Sequence, residues 1–441
     1  MDQGRLQTSI SSFGYHFLTG RALTVATASF SRAFTQFALK LAIAKAMVMV
    51  ANLCIARHLD TAHFGRLAIV LAIGNYWCLP FFTCWGLAYV RFASRQAQEE
   101  SCREYLTGTL VCIALAVSII LPIQIIFRQE FSDFLNMSTS TWVYGCLFGI
   151  LMGSYYFSKS IFQAKEKWSL YIASEFLFAI SLTIGVILLY MLNSSRNFFN
   201  IIFILTFSHL LGSMIGLFEI KPAIKSPKLT YVNQVAYYGI GLFVSFGLSL
   251  MGMQLDKILL NSYSDTITIG RYQAYYISTY GILSSFSIIF NNYLLPAYGK
   301  HGQRTVQRVL QRILLLATLP MFTGCLLAGR LAFHLLGDSF GFLWSELAWA
   351  SVFSVAAFWL QTEVFFSMTL GKKQLAVNSL AYATFIGIQF LTMPHLIRTA
   401  GVIGAYQGMT AASLAGLLIV YSAITISLKR GAVCANGIQC R

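Results

Sequence analysis

Twelve apolar segments, each long enough to cross a bilayer as a helix, follow one another along this 441-residue sequence. A transmembrane helix needs about 20 consecutive apolar residues. Only 10% of the residues are charged, against about 25% in a typical soluble domain. The sequence therefore predicts an all-α polytopic membrane protein, with spans at 36–56, 67–90, 105–127, 140–161, 170–192, 198–219, 234–260, 271–295, 312–336, 342–370, 375–397 and 401–428.

The distribution of positive charge predicts the orientation. If the N-terminus is cytoplasmic, 21 of the 31 Lys and Arg residues lie in cytoplasmic segments, six lie in outer loops and four lie inside spans. Short loops rich in Lys and Arg stay in the cytoplasm. We therefore expect a multi-pass protein of the bacterial inner membrane with both termini in the cytoplasm.

A polar connector divides the predicted spans into two sets of six. It contains two prolines and three lysines between residues 221 and 228. The predicted organisation is a cytoplasmic amphipathic segment (1–35), a first six-helix bundle (36–220), a cytoplasmic linker (221–232), a second six-helix bundle (233–428) and a cytoplasmic tail (429–441).

The two halves share a short motif. Residues 60–66 read DTAHFGR after the first span, and residues 265–271 read DTITIGR after the seventh. A weaker echo relates QAKEK at 163–167 to LGKKQ at 370–374, after the fourth and tenth spans. Two matches at equivalent positions indicate a duplication. Because six is even, the halves share one orientation and their symmetry axis runs along the membrane normal.

These residues resemble a known family. The segment from Ala56 to Gly65, the segment from Leu255 to Tyr272 and the turn Phe162-Gln163-Ala164 are similar to those of polysaccharide flippases. These are the Wzx-type repeat-unit translocases of the multidrug/oligosaccharidyl-lipid/polysaccharide (MOP) exporter superfamily. The resemblance covers residues 35–430.

The resemblance implies a V-shaped pair of six-helix bundles around a central cavity. It implies alternating access that moves an undecaprenyl-diphosphate-linked oligosaccharide from the cytoplasmic to the periplasmic leaflet. The translocated units would be used to build O-antigen of lipopolysaccharide, capsule or exopolysaccharide. The implied partners are the polyprenyl-diphosphate-linked glycan, membrane lipids, a polysaccharide polymerase and a chain-length regulator, with no cofactor.

Cations inside the predicted spans are candidates for binding an anionic cargo. A charge at membrane depth is costly unless it faces water, a partner or a substrate, and lysine acts on phosphate as a point charge. An alternative is that these side chains extend to the membrane surface or, for Arg91, anchor a span at the cytoplasmic side. The candidates are Lys40, Lys45, Arg91, Lys257 and Arg330.

Three carboxylates are candidates for ion coupling: Asp256, Glu175 and Glu363. The alternative is that each pairs with a basic group on a neighbouring helix, and the same holds for Glu346. Adjacent helical residues point about 100° apart, so Asp256 and Lys257 are not expected to pair with each other. Asp256 could face the cavity, with Lys257 near the outer leaflet. His209 is interpreted as a hydrogen-bonded interior residue.

The remaining patterns favour a transporter over other classes. No nucleotide-binding loop, nucleophile elbow or metal-binding spacing of Cys and His occurs in the sequence, so no catalytic residue or metal site is predicted. The net charge of +16 is spread between apolar segments rather than gathered on a nucleic-acid-binding face. Two rivals remain: a MATE-like antiporter of drugs or metabolites, which needs carboxylates to dominate the cavity, and a membrane polymerase or ligase, which needs a large outer loop.

Overall fold

A computed structural model describes residues 25–94, 96, 99–134, 137–191, 198–220, 228–287, 303–369 and 372–435. Every regular element within these ranges is helical. The predicted linker residues 221–227, the tail residues 436–441 and residues 288–295 of the predicted eighth span lie outside the described residues. So do residues 1–24 of the predicted N-terminal segment, whereas residues 25–35 belong to the first helix.

Within the described ranges, twelve helices, numbered α1 to α12, correspond to the predicted spans. A short helix (Arg128–Phe134) and a 3₁₀ turn (Asp338–Phe340) lie in connections. The bounds are α1 Val25–His58; α2 Thr61–Cys78, continued through a π-helical turn Leu79–Thr83 by Cys84–Ala93; α3 Glu99–Ile126; α4 Thr139–Ala164; α5 Trp168–Met191; α6 Phe198–Ile220; α7 Leu229–Tyr263; α8 Thr266–Ser278; α9 Gln303–Leu336; α10 Trp344–Thr369; and α11 and α12, the two arms of Lys372–Ala435.

The predicted membrane character is confirmed. Among the described residues, nine helical stretches are long and apolar enough to cross a bilayer. One of them, Lys373–Leu428, is 56 residues long. It is broken at Gly401, whose φ of 56° is not helical, so it counts as two spans. The remaining two of the twelve helices are not among these stretches: α4 is more polar, and α8 runs toward residues outside the described part.

Consecutive helices alternate in direction, so the molecule has two sides. We call the side on which α1 begins the start side and the side on which it ends the far side. The turns from α1 to α2 and from α7 to α8 lie on the far side, and each contains the Asp of the repeated motif, whose Thr begins the next helix. Asp60 accepts a hydrogen bond from the backbone amide of His63, and Asp265 accepts one from Thr268, each at 2.7 Å. These carboxylates are N-caps, which satisfy amides that the first turn of a helix leaves unpaired.

Within the first half, α2 packs along α4, α4 packs on α6, and α1 packs on α5. The α2–α4 contact uses the glycines that recur every four residues in α4, a pattern typical of close helix pairs in membranes. A methyl group on Gly149 would lie 2.7 Å from the carbonyl oxygen of Gly74. In the second half, α7 and α10 pack along the α11–α12 stretch.

The two halves meet on both sides of the molecule. On the start side, the beginning of α7 packs against α2 and α3: Lys228 pairs with Glu104 at 2.5 Å, and Tyr105 donates a hydrogen bond to Gln234 at 2.6 Å. The hydrogen bond to Glu104 raises the pKa of Lys228. On the far side, α2 packs against α8.

Candidate functional site

A charged cluster lies inside the first half, where α1, α4 and α5 meet. We call Lys45, Lys159 and Glu175 the first-half cluster. Glu175 is 1% exposed. Lys159 donates a hydrogen bond to its Oε1, and the Nζ of Lys45 lies 2.9 Å from its Oε2. The Lys159 side chain is 7% exposed, whereas that of Lys45 is 21% exposed. Lys45 is therefore the cation of the cluster that is open to other ligands.

The hairpin between α4 and α5 brings Lys159 to Glu175. Residues 165–167 form a tight start-side turn, in which Glu166 takes a positive φ of 52°. Lys159 lies six residues before this turn and Glu175 eight residues after it, so the antiparallel helices bring the two side chains to a similar depth. The contact between α1 and α5 then adds Lys45.

Aromatic rings surround the buried cation. The Nζ of Lys159 lies 4.8 Å from the ring centroid of Tyr155, 5.0 Å from that of Tyr156 and 5.1 Å from that of Tyr171. A desolvated cation over an aromatic face gains up to about 2 kcal/mol. These contacts, with the bond to Glu175, make Lys159 a fixed part of the cluster.

A second cluster lies in the second half, toward the far side. Asp256 in α7 is fully buried and accepts a hydrogen bond from the Tyr272 hydroxyl in α8. Lys257 is 2% exposed, donates to the Oε1 of Gln254 at 2.9 Å and lies 3.9 Å from the ring centroid of Tyr276. We call Gln254, Asp256, Lys257, Tyr272 and Tyr276 the second-half cluster.

One expectation for this cluster is wrong. The Nζ of Lys257 lies 3.5 Å from the Oδ1 of Asp256, so the adjacent residues do form an ion pair. The flexible lysine side chain folds back along the helix, which the angle between neighbouring residues does not prevent. The alternative in which the Lys257 side chain extends to the membrane surface does not hold, because that side chain is buried beneath Tyr276.

The other predicted cations join neither cluster. Arg91 joins the halves on the start side: its Nη1 donates to the Tyr238 hydroxyl at 2.7 Å, and its guanidinium carbon lies 4.3 Å from the centroid of that ring. Lys40 is exposed on α1. Arg330 is exposed near the far-side end of α9, 4.6 Å from the centroid of Phe342.

The remaining acidic and His candidates divide into paired and unpaired groups. Glu346 in α10 receives a bidentate pair from Arg271 in α8, in which Nε lies 2.9 Å from Oε2. Glu363 is 1% exposed, and neither of its oxygens has a hydrogen-bond partner among the described residues. The Nδ1 of His209 lies 2.8 Å from the carbonyl oxygen of Leu205, which matches the interpretation of this residue as an interior group.

The repeated motif forms the far-side contact between the halves. A methyl group on Gly65 would overlap the carbonyl oxygen of Thr266, and one on Gly270 would overlap that of Thr61. Both glycines and both threonines are related by the offset of 205 that relates the halves. The contact is therefore self-complementary, as in a two-fold symmetric interface.

Lys159 is the functional candidate that the sequence analysis missed. The charge count places it with the cytoplasmic residues beside the turn, whereas the structure buries it. The short distance of both Lys159 and Glu175 from the turn is a signal that the sequence contains. The tight connection, which sets that distance, is a property of the backbone.

Comparison with known proteins identifies the family and the fold. Residues 33–302 match the family described as polysaccharide biosynthesis protein. No curated protein matches the chain.

Three solved structures illustrate the structural similarity. An inward-facing multidrug resistance MATE family transporter of the MOP superfamily superimposes with a TM-score of 0.64 and 13% identity, over 88% of this chain and 99% of that one. An outward-facing one gives 0.62 and 15%, over 90% and 96%. The lipid II flippase MurJ in an inward closed conformation gives 0.60 and 14%, over 89% and 87%. The chain belongs to the polysaccharide biosynthesis protein family and has the all-α transporter fold of the MOP superfamily.

Proposed function

We propose that this protein is a flippase for a polyprenyl-diphosphate-linked oligosaccharide. It moves the repeat unit from the cytoplasmic to the periplasmic leaflet of the bacterial inner membrane, in the synthesis of O-antigen, capsule or exopolysaccharide. The observation that carries this proposal is the first-half cluster, which places an exchangeable cation at membrane depth in a member of a polysaccharide biosynthesis family.

The charge balance of this cluster favours an anionic cargo. Two lysines share one carboxylate, which leaves one net positive charge. A diphosphate head group that replaces Glu175 at Lys45 would leave Glu175 neutralised by Lys159. Binding therefore adds an anion to Lys45 and leaves Glu175 paired with Lys159. An unpaired buried carboxylate would be strongly destabilising.

The position of the cluster suits cargo that enters from the cytoplasmic leaflet. The excess of Lys and Arg assigns the start side to the cytoplasm. Lys159 lies near the start-side end of α4 and Glu175 near the start-side end of α5. The sugars would occupy the polar interior between the halves, while the polyprenyl chain stays in lipid.

The far-side contact between Gly65 and Thr266, with its symmetric copy at Gly270 and Thr61, closes the path toward the periplasm. Release of the cargo there requires α2 and α8 to separate. Rocking of one half against the other, as in transporters built from repeats, breaks this small contact without unfolding either half. The polymerase and the chain-length regulator would then receive the cargo at the periplasmic surface.

Complementation tests this function. A strain that lacks its own repeat-unit flippase would express the wild-type chain, Lys45→Ala, or Lys373→Ala, a control at an exposed lysine. We expect surface polysaccharide from the wild type and the control, and a large loss with Lys45→Ala. Normal polysaccharide with Lys45→Ala would contradict the site assignment, and failure of the wild type with every repeat unit tested would favour the MATE-like antiporter.

A further inference from the structure

Glu363 differs from every other carboxylate in the described interior. Asp256 receives a hydrogen bond from Tyr272, Glu175 is held by two lysines, and Glu346 is held by Arg271. Glu363 is equally buried in α10, yet neither oxygen has a partner within the described ranges. An isolated carboxylate in an apolar interior is far costlier than the neutral acid.

A buried polar pair lies one helical turn from Glu363 but does not pair with it. Ser367, one turn further along α10 and on the same face, donates a hydrogen bond to Oδ1 of Asn378 in α11 at 2.7 Å. Asn378 is fully buried, and its Nδ2 has no acceptor among the residues that the structure describes. Glu363 in α10 and Asn378 in α11 thus each hold a buried polar atom without a partner among the described residues.

Charged groups on the helices that pack against α10 are engaged elsewhere or exposed. Arg271 of α8 binds Glu346, Arg398 of α11 lies 4.8 Å from the ring centroid of Tyr263, and Lys257 of α7 pairs with Asp256. Tyr280, two residues beyond the end of α8, accepts a hydrogen bond from Gln361, which precedes Glu363 by two residues in α10. The other described basic side chains of α9 and α11 are exposed: Arg312, Arg330, His334, Lys373 and His395.

We propose that Glu363 is the proton-binding site that couples this flippase to the proton gradient, with the neutral carboxylic acid present in this conformation. This inference deepens the proposed function and rests on it. In the cycle, one oxygen of the carboxylate takes a proton from water on one side of the membrane, and the acid returns that proton to water on the other side. No bond other than O–H forms or breaks.

A proton fits this site better than a metal ion. Hard cations take about six or more oxygen ligands. Within the described residues, no group of three or more His, Cys, Asp and Glu side chains is placed to hold a metal. A proton needs one oxygen, which Glu363 supplies.

Infrared spectroscopy of the purified, full-length protein tests the proton directly. A protonated carboxyl group has a C=O stretching band that shifts in D₂O and disappears when the group ionises. The wild type should show this band and lose it as the buffer is made alkaline. Glu363→Gln should lack it, and Glu346→Gln, which removes a carboxylate already paired with Arg271, should retain it. The same band in Glu363→Gln as in the wild type would overturn the proposal.

A melting measurement and a second variant control for misfolding of Glu363→Gln. Gln has the shape of the neutral acid, so we expect Glu363→Gln to melt at the wild-type temperature. If that variant does not fold, Glu363→Asp keeps a carboxyl group and should shift the band, whereas an unshifted band would contradict the assignment.

Coupling is measured with a fluorescent short-chain polyprenyl-diphosphate disaccharide in proteoliposomes. Its flipping should respond to an imposed pH gradient in the wild type and not in Glu363→Gln. A wild-type flipping rate that does not depend on the pH gradient would refute the coupling but not the proposed flippase function. Absence of all flipping would instead refute the proposed function, and with it the coupling. The infrared C=O band would still show whether Glu363 binds a proton.

Discussion

Gly65 in α2 lies so close to the backbone carbonyl group of Thr266 in α8 that even a methyl side chain would overlap it. The motif that repeats between the halves is the motif that joins them: its Asp caps the helix, and its Thr and Gly form the crossing. Mutation of this contact should shift the balance between closed and open far-side states.

Gly65→Ala and Gly270→Ala should each weaken far-side closure, because the new methyl group meets backbone that cannot rotate away. Overpacking of this kind costs about 1–3 kcal/mol, and the double mutant should lose less than the sum, since both residues serve one contact. The rate of glycan flipping and the melting temperature measure the effect. Gly387→Ala is the matched control, since nothing lies within 4 Å of its added carbon. Equal flipping rates and melting temperatures in all three single variants would contradict the close contact between α2 and α8.

Lys159→Met should be among the most destabilising single changes in the first half. It leaves buried Glu175 with only the partly exposed Lys45, and breaking a buried pair costs about 3–5 kcal/mol. We expect a clear fall in melting temperature in detergent, largely reversed in Lys159→Met/Glu175→Gln. Lys373→Met controls for loss of an exposed positive charge, and a fall no larger than in that control would show that the pair is unimportant.

Asp265 should make part of the protein's stability dependent on acid. The backbone hydrogen bond from Thr268 holds the pKa of Asp265 below its usual range. A group with a depressed folded-state pKa stabilises the fold above its unfolded-state pKa, and the contribution disappears as the pH falls through the folded-state pKa. Asp265→Ala should cost about 1 kcal/mol at neutral pH and less in acid.

Asp265→Asn keeps the cap without a titrating group, so its melting temperature should fall less than that of the wild type between neutral and acid buffer. The melting temperatures of the three proteins across pH measure this. Parallel curves for wild type and Asp265→Asn would show that the cap does not contribute through its charge.

Much of the fold is predictable because long apolar segments and duplication leave a direct record in the sequence. The predicted spans at 170–192 and 198–219 match α5 and α6 to within two residues. The repeated motif is equally visible, but its role is not. That Gly65 meets Thr266 depends on how two distant helices cross, which local sequence does not specify.

The candidate site is predictable in part. Lys45, Glu175 and Asp256 stand out because charges are rare inside apolar segments, and all three lie in clusters. The charge count groups Lys159 with the cytoplasmic Lys165 and Lys167, although it lies just inside the predicted span 140–161. Arg91 and Arg330 carry the same signal as Lys45 but lie at helix ends against Tyr238 and Phe342, and only the packing distinguishes these cases.

The most direct test of the account compares two lipids in one assay. The protein would be reconstituted in proteoliposomes, and flipping measured for a fluorescent polyprenyl-diphosphate disaccharide and for the same lipid with an uncharged linkage. We predict fast flipping of the diphosphate lipid alone, lowered about 10- to 100-fold by Lys45→Ala, as loss of a hydrogen bond to a charged group implies. Equal rates for both lipids, or an unchanged rate in Lys45→Ala, would contradict it.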